Sequence, residues 1–348
     1  MYFKSSVLFF VLLSAPLLCA QNHTMTFKVF QASFNKTYQP TELTLREQVF
    51  NQNLQKIEEH NKKFDLGLVA YKTGVNSFTD LTEEEFLARF KTLPLEESFI
   101  KANSVQDSNQ FNISELPKSI DWREKGVVTA VKDQGSCGGC WAFSATGTLE
   151  GQLAINTGNL TSLSEQELID CNTATQKGCN GGVVQYALSY VIENGITSEE
   201  NYPYVGEQKS CKSKRNAVRA DSYVNIRSYN ETDLKLAVGF VGPVSVAVNA
   251  YLLKDYESGI INSPCLDDVD HGVLVVGYGT DNKTNLEYWI IKNSWGSEWG
   301  ESGYYKLALG KQLCGIAKQA CYPVGVRNSA GSLSFSIMAG ILMFFYLL

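Results

Sequence analysis

The chain has 348 residues, nine of them cysteine, and a formal net charge of −6, with an isoelectric point near 5.3. Its 30 basic side chains are outnumbered by 36 acidic ones, so composition offers no electrostatic footprint for a nucleic-acid partner. No internal repeat or low-complexity tract is present, and the length leaves room for a substantial folded core between flanking segments.

In chain order, Lys4, an apolar run over residues 7–18 and the small residue Ala20 read as a signal peptide covering residues 1–20, too short to span a membrane. Cys19 would leave with it. Asn-x-Ser/Thr triplets at Asn22, Asn35, Asn112, Asn159, Asn230 and Asn282 suit secretory passage. Residues 21–115 form a charged, largely helical segment. Within it Glu42, Arg46, Phe50, Asn53, Ile57 and Asn61 fall on one helical stripe. Gly74, Asn76, Phe78 and Asp80 follow at alternate positions. By itself such a stripe is an ordinary solvated face.

Residues 134–144 read Gln-Gly-Ser-Cys-Gly-Gly-Cys-Trp-Ala-Phe-Ser. Trp141, Ala145, Leu149 and Leu153 recur at every fourth position and Gly158 is a stop, so a helix is expected with Cys140 in its first turn. There the helix dipole and free backbone N–H groups favour an anion, and the thiolate is the nucleophilic form of cysteine. Such a thiolate needs a cationic partner able to hand a proton to a leaving group. Of the three histidines, His23 follows the leader and His60 lies in the charged segment, which leaves His271. His271 opens one β-rich run and residues 287–293 form another, across a polar turn at residues 281–285. The midpoint between His271 and Asn293 falls at Asn282, so Asn293 is expected opposite His271 to within a residue or two. An asparagine oxygen can orient the ring without adding charge. Other readings stand beside this one. Cys137 and Cys140 could be a redox Cys-x-x-Cys pair, and His271 and Asn293, each taken singly, could be ordinary structural residues.

Residues 327–348 form a hydrophobic tail, and residues 333–348 carry no charge. They fall short of the roughly 20 residues a helix needs to cross a bilayer. As a lipid-anchor signal they lack most of the polar spacer, and trimming during maturation is a third reading. Some membrane association through this tail is expected.

With Asp121-Trp122-Arg123, Gly178-Cys179-Asn180-Gly181-Gly182 and Asn293-Ser294-Trp295-Gly296, these residues resemble the papain and cathepsin L-like family of cysteine proteases over residues 26–326. The pattern at Cys140 and the roughly 130 to 150 residues separating it from His271 and Asn293 are the family's own. Gly139 departs from the family's usual serine or alanine.

The resemblance implies an α+β, papain-like two-lobed peptidase domain over residues 116–326, with a helical N-terminal lobe and an antiparallel β-barrel C-terminal lobe. A helical inhibitory propeptide over residues 21–115 would lie across the cleft and mask Cys140, with its border within residues 112–117. Gln134 would donate its side-chain amide to the oxyanion alongside the Cys140 backbone N–H, and Trp295 and Trp299 would shield the His271–Asn293 bond. Gly182 would pair with the substrate backbone, and Val184, Ala247, Val269, Gly272 and Gln319 would line a mostly apolar pocket for the second residue before the scissile bond. Disulfides are implied for Cys137 with Cys179, Cys171 with Cys211, and Cys265 with Cys314, leaving Cys321 over. These point to an oxidising, lysosome-like or extracellular compartment.

The implied activity is that of an endopeptidase acting on proteins and peptides, inhibited by its own propeptide, with no cofactor and no metal. Protonation of propeptide carboxylates, Asp80 among them, is expected to speed processing in acid. A thiol-disulfide oxidoreductase and a non-catalytic binding homologue are the rival classes. The second would be expected to lack Cys140, His271 or Asn293.

Overall fold

The computed structural model describes residues 25–89, 105–212 and 217–329, so the leader at residues 1–20 and the apolar tail at residues 333–348 lie outside the described residues. The N-terminal segment begins with helices α1 (Phe27–Ser33) and α2 (Pro40–Asp65), the latter opened by a proline whose missing N–H costs nothing in a first turn. Phe50 on α2 meets the rings of Phe27 and Phe30 at 5.6 and 4.8 Å. The helical stripe turns inward apart from the exposed Glu42. Arg46 forks onto Glu85 at 2.7 and 2.9 Å, Asn53 donates to the carbonyls of Thr79 and Leu81, and Asn61 brackets the backbone of Thr73. Strand β1 (Tyr71–Thr73) and the short helix α3 (Glu83–Leu87), closed by a Thr82–Glu85 capping box, complete the segment.

In the helical lobe, α4 (Cys140–Thr157) is buried on nearly every side and ends at Gly158 in the left-handed region, φ 74°. Around it pack α5 (Glu165–Cys171), capped by the Ser164 hydroxyl, and α6 (Val184–Asn194). Trp141, Leu149, Leu153, Leu168, Leu188 and Val191 share that lobe's core.

The second lobe contains strands β2 (Ile120–Asp121), β4 (Ser222–Asn225), β5 (Val244–Val248), β6 (Tyr256–Ile261), β7 (His271–Thr280), β8 (Glu287–Lys292), β9 (Tyr304–Ala308) and β10 (Ala320–Val324), with helix α7 (Glu231–Phe240). Their order in the sheet is β1-β6-β9-β8-β7-β5-β10-β4, and β2 pairs with β7. All neighbours run antiparallel except β6 and β9, which are parallel. The N-terminal segment thus supplies β1 as one edge strand of the second lobe. A separate two-stranded ladder joins β3 (Val218–Arg219) to β11 (Arg327–Asn328), so the chain remains tied to the domain just past residue 326.

The hairpin of β7 and β8 is offset by two residues from the midpoint estimate, at the edge of the expected range. Leu274 faces Lys292, and a bulge lies between Val275 and Gly277. Continuing that register puts Asn293 opposite Val273, two residues from His271 but on the same face of the sheet, within diagonal reach of its side chain. The lobes meet where α4 lies on β7. A Cβ built on Gly272 would stand 3.2 Å from the Cys140 carbonyl oxygen, and one on Gly147 would stand 2.9 Å from a Leu274 methyl, so glycines permit this approach.

Candidate active site

Cys140 is the first residue of α4 and is completely buried. The turn before it is pinned by the Cys137–Cys179 disulfide, and Gly138 donates its N–H to the Cys179 carbonyl at 2.9 Å. Because Cys137 is bonded to Cys179, it is not a redox partner for Cys140. Disulfides also join Cys171 to Cys211 and Cys265 to Cys314. Cys140 and Cys321 take part in none. Gly139 lies against Ile169, whose terminal methyl would be 3.0 Å from a Cβ there. The space a serine or alanine would occupy is therefore filled from α5.

His271 begins β7 and is completely buried beside Cys140's helix. Its Nε2 lies 2.8 Å from Asn293 Oδ1. The Ser294 backbone N–H donates to the same Oδ1 at 2.8 Å, which identifies that atom as the acceptor and places the imidazole proton on Nε2. Trp295 stacks on the imidazole at 4.8 Å, and Trp299 meets Trp295 edge-on at 4.8 Å. Burial lowers the ring's pKa from 6.5 to about 4, against the opposing pull of the Asn293 hydrogen bond.

Gln134 is fully buried and held from the second lobe. Its backbone N–H donates to the Ser294 carbonyl at 2.9 Å, and its Oε1 accepts from the Ser294 hydroxyl at 2.6 Å. Its Nε2 donates to the Cys137 carbonyl at 3.0 Å. Ser294 thus orients the Gln134 amide, a task not assigned to it from sequence. Its signal there was adjacency to Asn293.

The other expected binding residues are placed as follows. A Cβ on Gly182 would stand 2.5 Å from Gln176 Oε1 and 2.6 Å from the Trp141 indole, so packing alone already demands glycine. Ala247 pairs with Gly272 across β5 and β7 and donates its N–H to the Gln319 carbonyl at 2.9 Å. Val269 lies two residues before His271, against Gly315. Val184 starts α6 in the opposite lobe.

The N-terminal segment covers this region. Phe78 and Phe86 meet Trp295 edge-on at 5.2 and 5.5 Å. Gly74 donates its N–H to the Asp255 carbonyl at 2.8 Å, and Asn76 donates Nδ2 to the Lys254 carbonyl at 2.7 Å. The Arg89 carbonyl oxygen would be 3.2 Å from a Cβ on Gly138, two residues from the sulfur. Asp80 points the other way, into its own segment, accepting from Lys36 at 3.1 Å and Tyr38 at 2.7 Å. The Arg46 guanidinium holds Glu85 at about 2, against an opposing effect of burial.

Behind the site, between the lobes, lies a buried charge cluster that sequence reading missed. Lys132 reaches Glu150 at 2.8 Å and Glu165 at 2.6 Å, while Lys292, next to Asn293, donates to the Thr129 carbonyl and hydroxyl at 2.8 and 2.9 Å. The Thr129 hydroxyl in turn donates to Glu150 at 2.6 Å. Burial raises Glu165 to about 7 despite Lys132, with the Glu150 charge adding to the rise. Burial also opposes ionisation of Glu150, but its two lysines outweigh that and lower it.

Among the described residues no helix is long and apolar enough to cross a membrane, and no group of three or more metal-ligating side chains is gathered. Residues 116–324 match the papain family cysteine protease domain, and residues 27–86 match the cathepsin propeptide inhibitor domain. The chain is 42% identical over 314 residues to a cathepsin L-like peptidase of Aedes aegypti, covering 86% of this chain and 92% of that protein. It is 43% identical to the cysteine proteinase RD21A of Arabidopsis thaliana, covering 80% of this chain and spanning 61% of that protein's length. Among solved structures, a digestive procathepsin L2 proteinase from Tenebrio molitor larval midgut superposes with a TM-score of 0.80 at 39% identity, covering 85% of this chain and 98% of the other. The digestive procathepsin L 3 of the same larval midgut gives 0.78 at 42% identity, covering 85% and 97%. The chain therefore belongs to the papain family of cysteine proteases and carries that family's inhibitory propeptide domain.

Proposed function

We propose that the processed protein is an endopeptidase in which Cys140, His271 and Asn293 form the reacting group and Gln134 stabilises the oxyanion. The observation carrying this reading is the 2.8 Å contact of His271 Nε2 with Asn293 Oδ1 under Trp295, on the strand that packs against the first turn of Cys140's helix. In this mechanism the Cys140 thiolate attacks the peptide carbonyl, and the negative charge moves to oxygen between the Cys140 N–H and the Gln134 amide. The C–N bond breaks as the His271 imidazolium gives its proton to the leaving amine. Water, deprotonated by the now neutral imidazole, then attacks the thioester and releases the acid and the thiolate. Asn293 keeps the ring in the tautomer this cycle requires.

Gly182, Val184, Ala247, Val269, Gly272 and Gln319 are proposed to receive the substrate, with an apolar side chain second before the cut. Burying such a side chain contributes about 1.5 to 3 kcal/mol, and the neutral Gln319 supplies no charge to select arginine. The proposed boundary between propeptide and enzyme is within residues 112–117. The three disulfides support an oxidising secretory compartment, lysosome-like or extracellular, with processing faster in acid.

Acid-processed protein treated with an active-site-directed epoxide should carry the adduct on Cys140. Cys140→Ser should neither take the label nor hydrolyse peptides. Label on Cys321, or undiminished hydrolysis by Cys140→Ser, would overturn the assignment.

A further inference from the structure

Tyr204 touches both halves of the site that is proposed to hold the oxyanion. Its hydroxyl donates to the Gln134 backbone carbonyl at 2.7 Å. Its ring meets Phe143 edge-on at 4.9 Å, and Phe143 is one turn along α4 from Cys140. Gln134 is also fixed from the second lobe, through Ser294, and within its own turn by the Cys137 carbonyl, which accepts from its Nε2 at 3.0 Å. On its carbonyl side the remaining backbone contact is the Cys137 N–H at 3.3 Å, a long hydrogen bond within the same turn. That turn contains Gly135 at φ 58°, whose N–H, on the other edge of the same peptide, donates to Asp133 Oδ1 at 2.8 Å, so the Tyr204 hydroxyl holds the carbonyl edge of a peptide otherwise tied within its own turn.

The loop carrying Tyr204 is well suited to act as a brace. Tyr202 gives its hydroxyl to Asp170 at 2.6 Å and accepts from Ser164 through its carbonyl at 2.6 Å. Pro203 fixes the intervening φ. The Tyr204 N–H donates to Glu199 at 2.7 Å, and the Val205 N–H to Gln166 at 2.9 Å. Three backbone groups of this irregular segment are thus met by side chains of the helical lobe or of the loop itself, and the Tyr202 N–H donates to the Ser198 carbonyl at 3.2 Å. Burial, with the nearby carboxylates adding, raises the Tyr204 pKa above its ordinary value, which keeps the hydroxyl a donor across the working pH range.

We propose that Tyr204 is a positioning residue for the oxyanion hole, fixing the spacing between the Gln134 side-chain amide and the Cys140 N–H by bracing the Gln134 carbonyl against Cys140's helix. This rests on the reading of Gln134 as an oxyanion donor. The side chain touches no reacting atom. It acts on how well two donors converge where charge develops, which governs the transition state more than substrate binding.

The test is Tyr204→Phe in the acid-processed enzyme, assayed for peptide hydrolysis and, separately, for alkylation of Cys140 by iodoacetamide. Alkylation forms the S–C bond with loss of iodide and develops no oxyanion, so it reports the thiolate and imidazole alone. The expected result is a fall in kcat of about five- to tenfold, the effect of one lost hydrogen bond, with little change in KM. The alkylation rate and its pH profile should stay as in the parent. In a Gln134→Ala background, Tyr204→Phe should cause no further loss of kcat.

Unchanged kcat overturns the inference. So does a parallel fall in hydrolysis and alkylation, which would mark general loosening of the site, and so does an additive loss in the Gln134→Ala background. If Gln134→Ala alone leaves kcat intact, it is the oxyanion reading of Gln134 that fails. Should Tyr204→Phe not accumulate as folded protein, Phe143→Leu loosens the ring from its other side and must produce the same split between hydrolysis and alkylation.

Discussion

Closure of the precursor is expected to weaken in acid through His271, by an amount that follows from its burial. With the propeptide in place the ring is held at about 4 against an ordinary 6.5. When Phe78 and Phe86 leave Trp295 and the cleft opens, the ring meets water and returns toward its ordinary value. The covered state then binds fewer protons than the open one, so its advantage is full above pH 6.5, shrinks as pH falls, and stops shrinking below about 4. As an upper bound this is about 3 kcal/mol, a few hundredfold in the opening equilibrium.

With Cys140 as the proposed nucleophile, the full chain carrying Cys140→Ser is expected not to process itself, which allows the closed state to be studied at equilibrium. The Ile260 and Gly74 amides donate across the interface to Ala70 and Asp255. Their hydrogen-exchange protection, corrected for intrinsic rates, should fall by up to a few hundredfold between pH 6.5 and 4. Adding His271→Gln should flatten that dependence, whereas adding Asp80→Asn should leave it, because the Asp80 side chain bonds Lys36 and Tyr38 of its own segment. Glu85, held at about 2, begins to lose its contribution only below its ordinary 4.5. A slope that survives His271→Gln, or that vanishes with Asp80→Asn, refutes the argument and returns the trigger to the propeptide carboxylates.

Asn293→Ala should lower kcat about 10- to 100-fold, as expected for losing a buried hydrogen bond that fixes a catalytic ring, and should shift the pH profile of Cys140 alkylation. An unchanged profile would show that the ring needs no orientation from that side chain. Lys132→Met removes the ammonium bonded to both Glu150 and Glu165, leaving Glu165 without a directly bonded counter-ion, and should destabilise the processed enzyme by about 3 to 5 kcal/mol at pH 7.5. The cost should be smaller at pH 5, since carboxyls whose folded pKa is raised are relieved as pH falls through that pKa and they take up protons. Calorimetry showing equal losses of Tm at both pH values would contradict the assignment of Lys132 as their counter-ion.

Several elements were legible in the sequence because each rested on a periodic or local rule. The helix from Cys140 to Gly158 follows from every-fourth-residue spacing and a glycine stop, and the alignment of six α2 residues on one stripe follows from the same geometry, although that the stripe faces inward does not. The meeting of His271 and Asn293 was foreseeable, but their register was not. The bulge at Val276 and the positions of the strand ends depend on tertiary pairing, since β2 approaches Gly277 from the other side. Ser294 and Tyr204 act on Gln134 from distant parts of the chain, with no spacing to announce them. The buried charges were hidden for a different reason. Nothing in the spacing of Glu165, Gln166 and Glu167 marks them as buried, yet all three are enclosed: Lys132 and Thr146 bond Glu165, the Thr197 N–H bonds Glu167, and Gln166 bonds Asp170 and the Val205 N–H.

Strand β1 belongs to a part of the chain that the finished enzyme is proposed to discard, yet it closes one margin of the sheet. Once residues 71–73 depart, the outward N–H and C=O groups of Tyr256–Ile261 lose their cover and become a template on which a foreign strand can dock. Gly259, at φ 92°, shows how closely that margin is fitted to its temporary neighbour: a Cβ there would sit 2.5 Å from the Ala70 carbonyl oxygen. While residues 71–73 stay in place, that margin of the sheet is occupied from within the same chain.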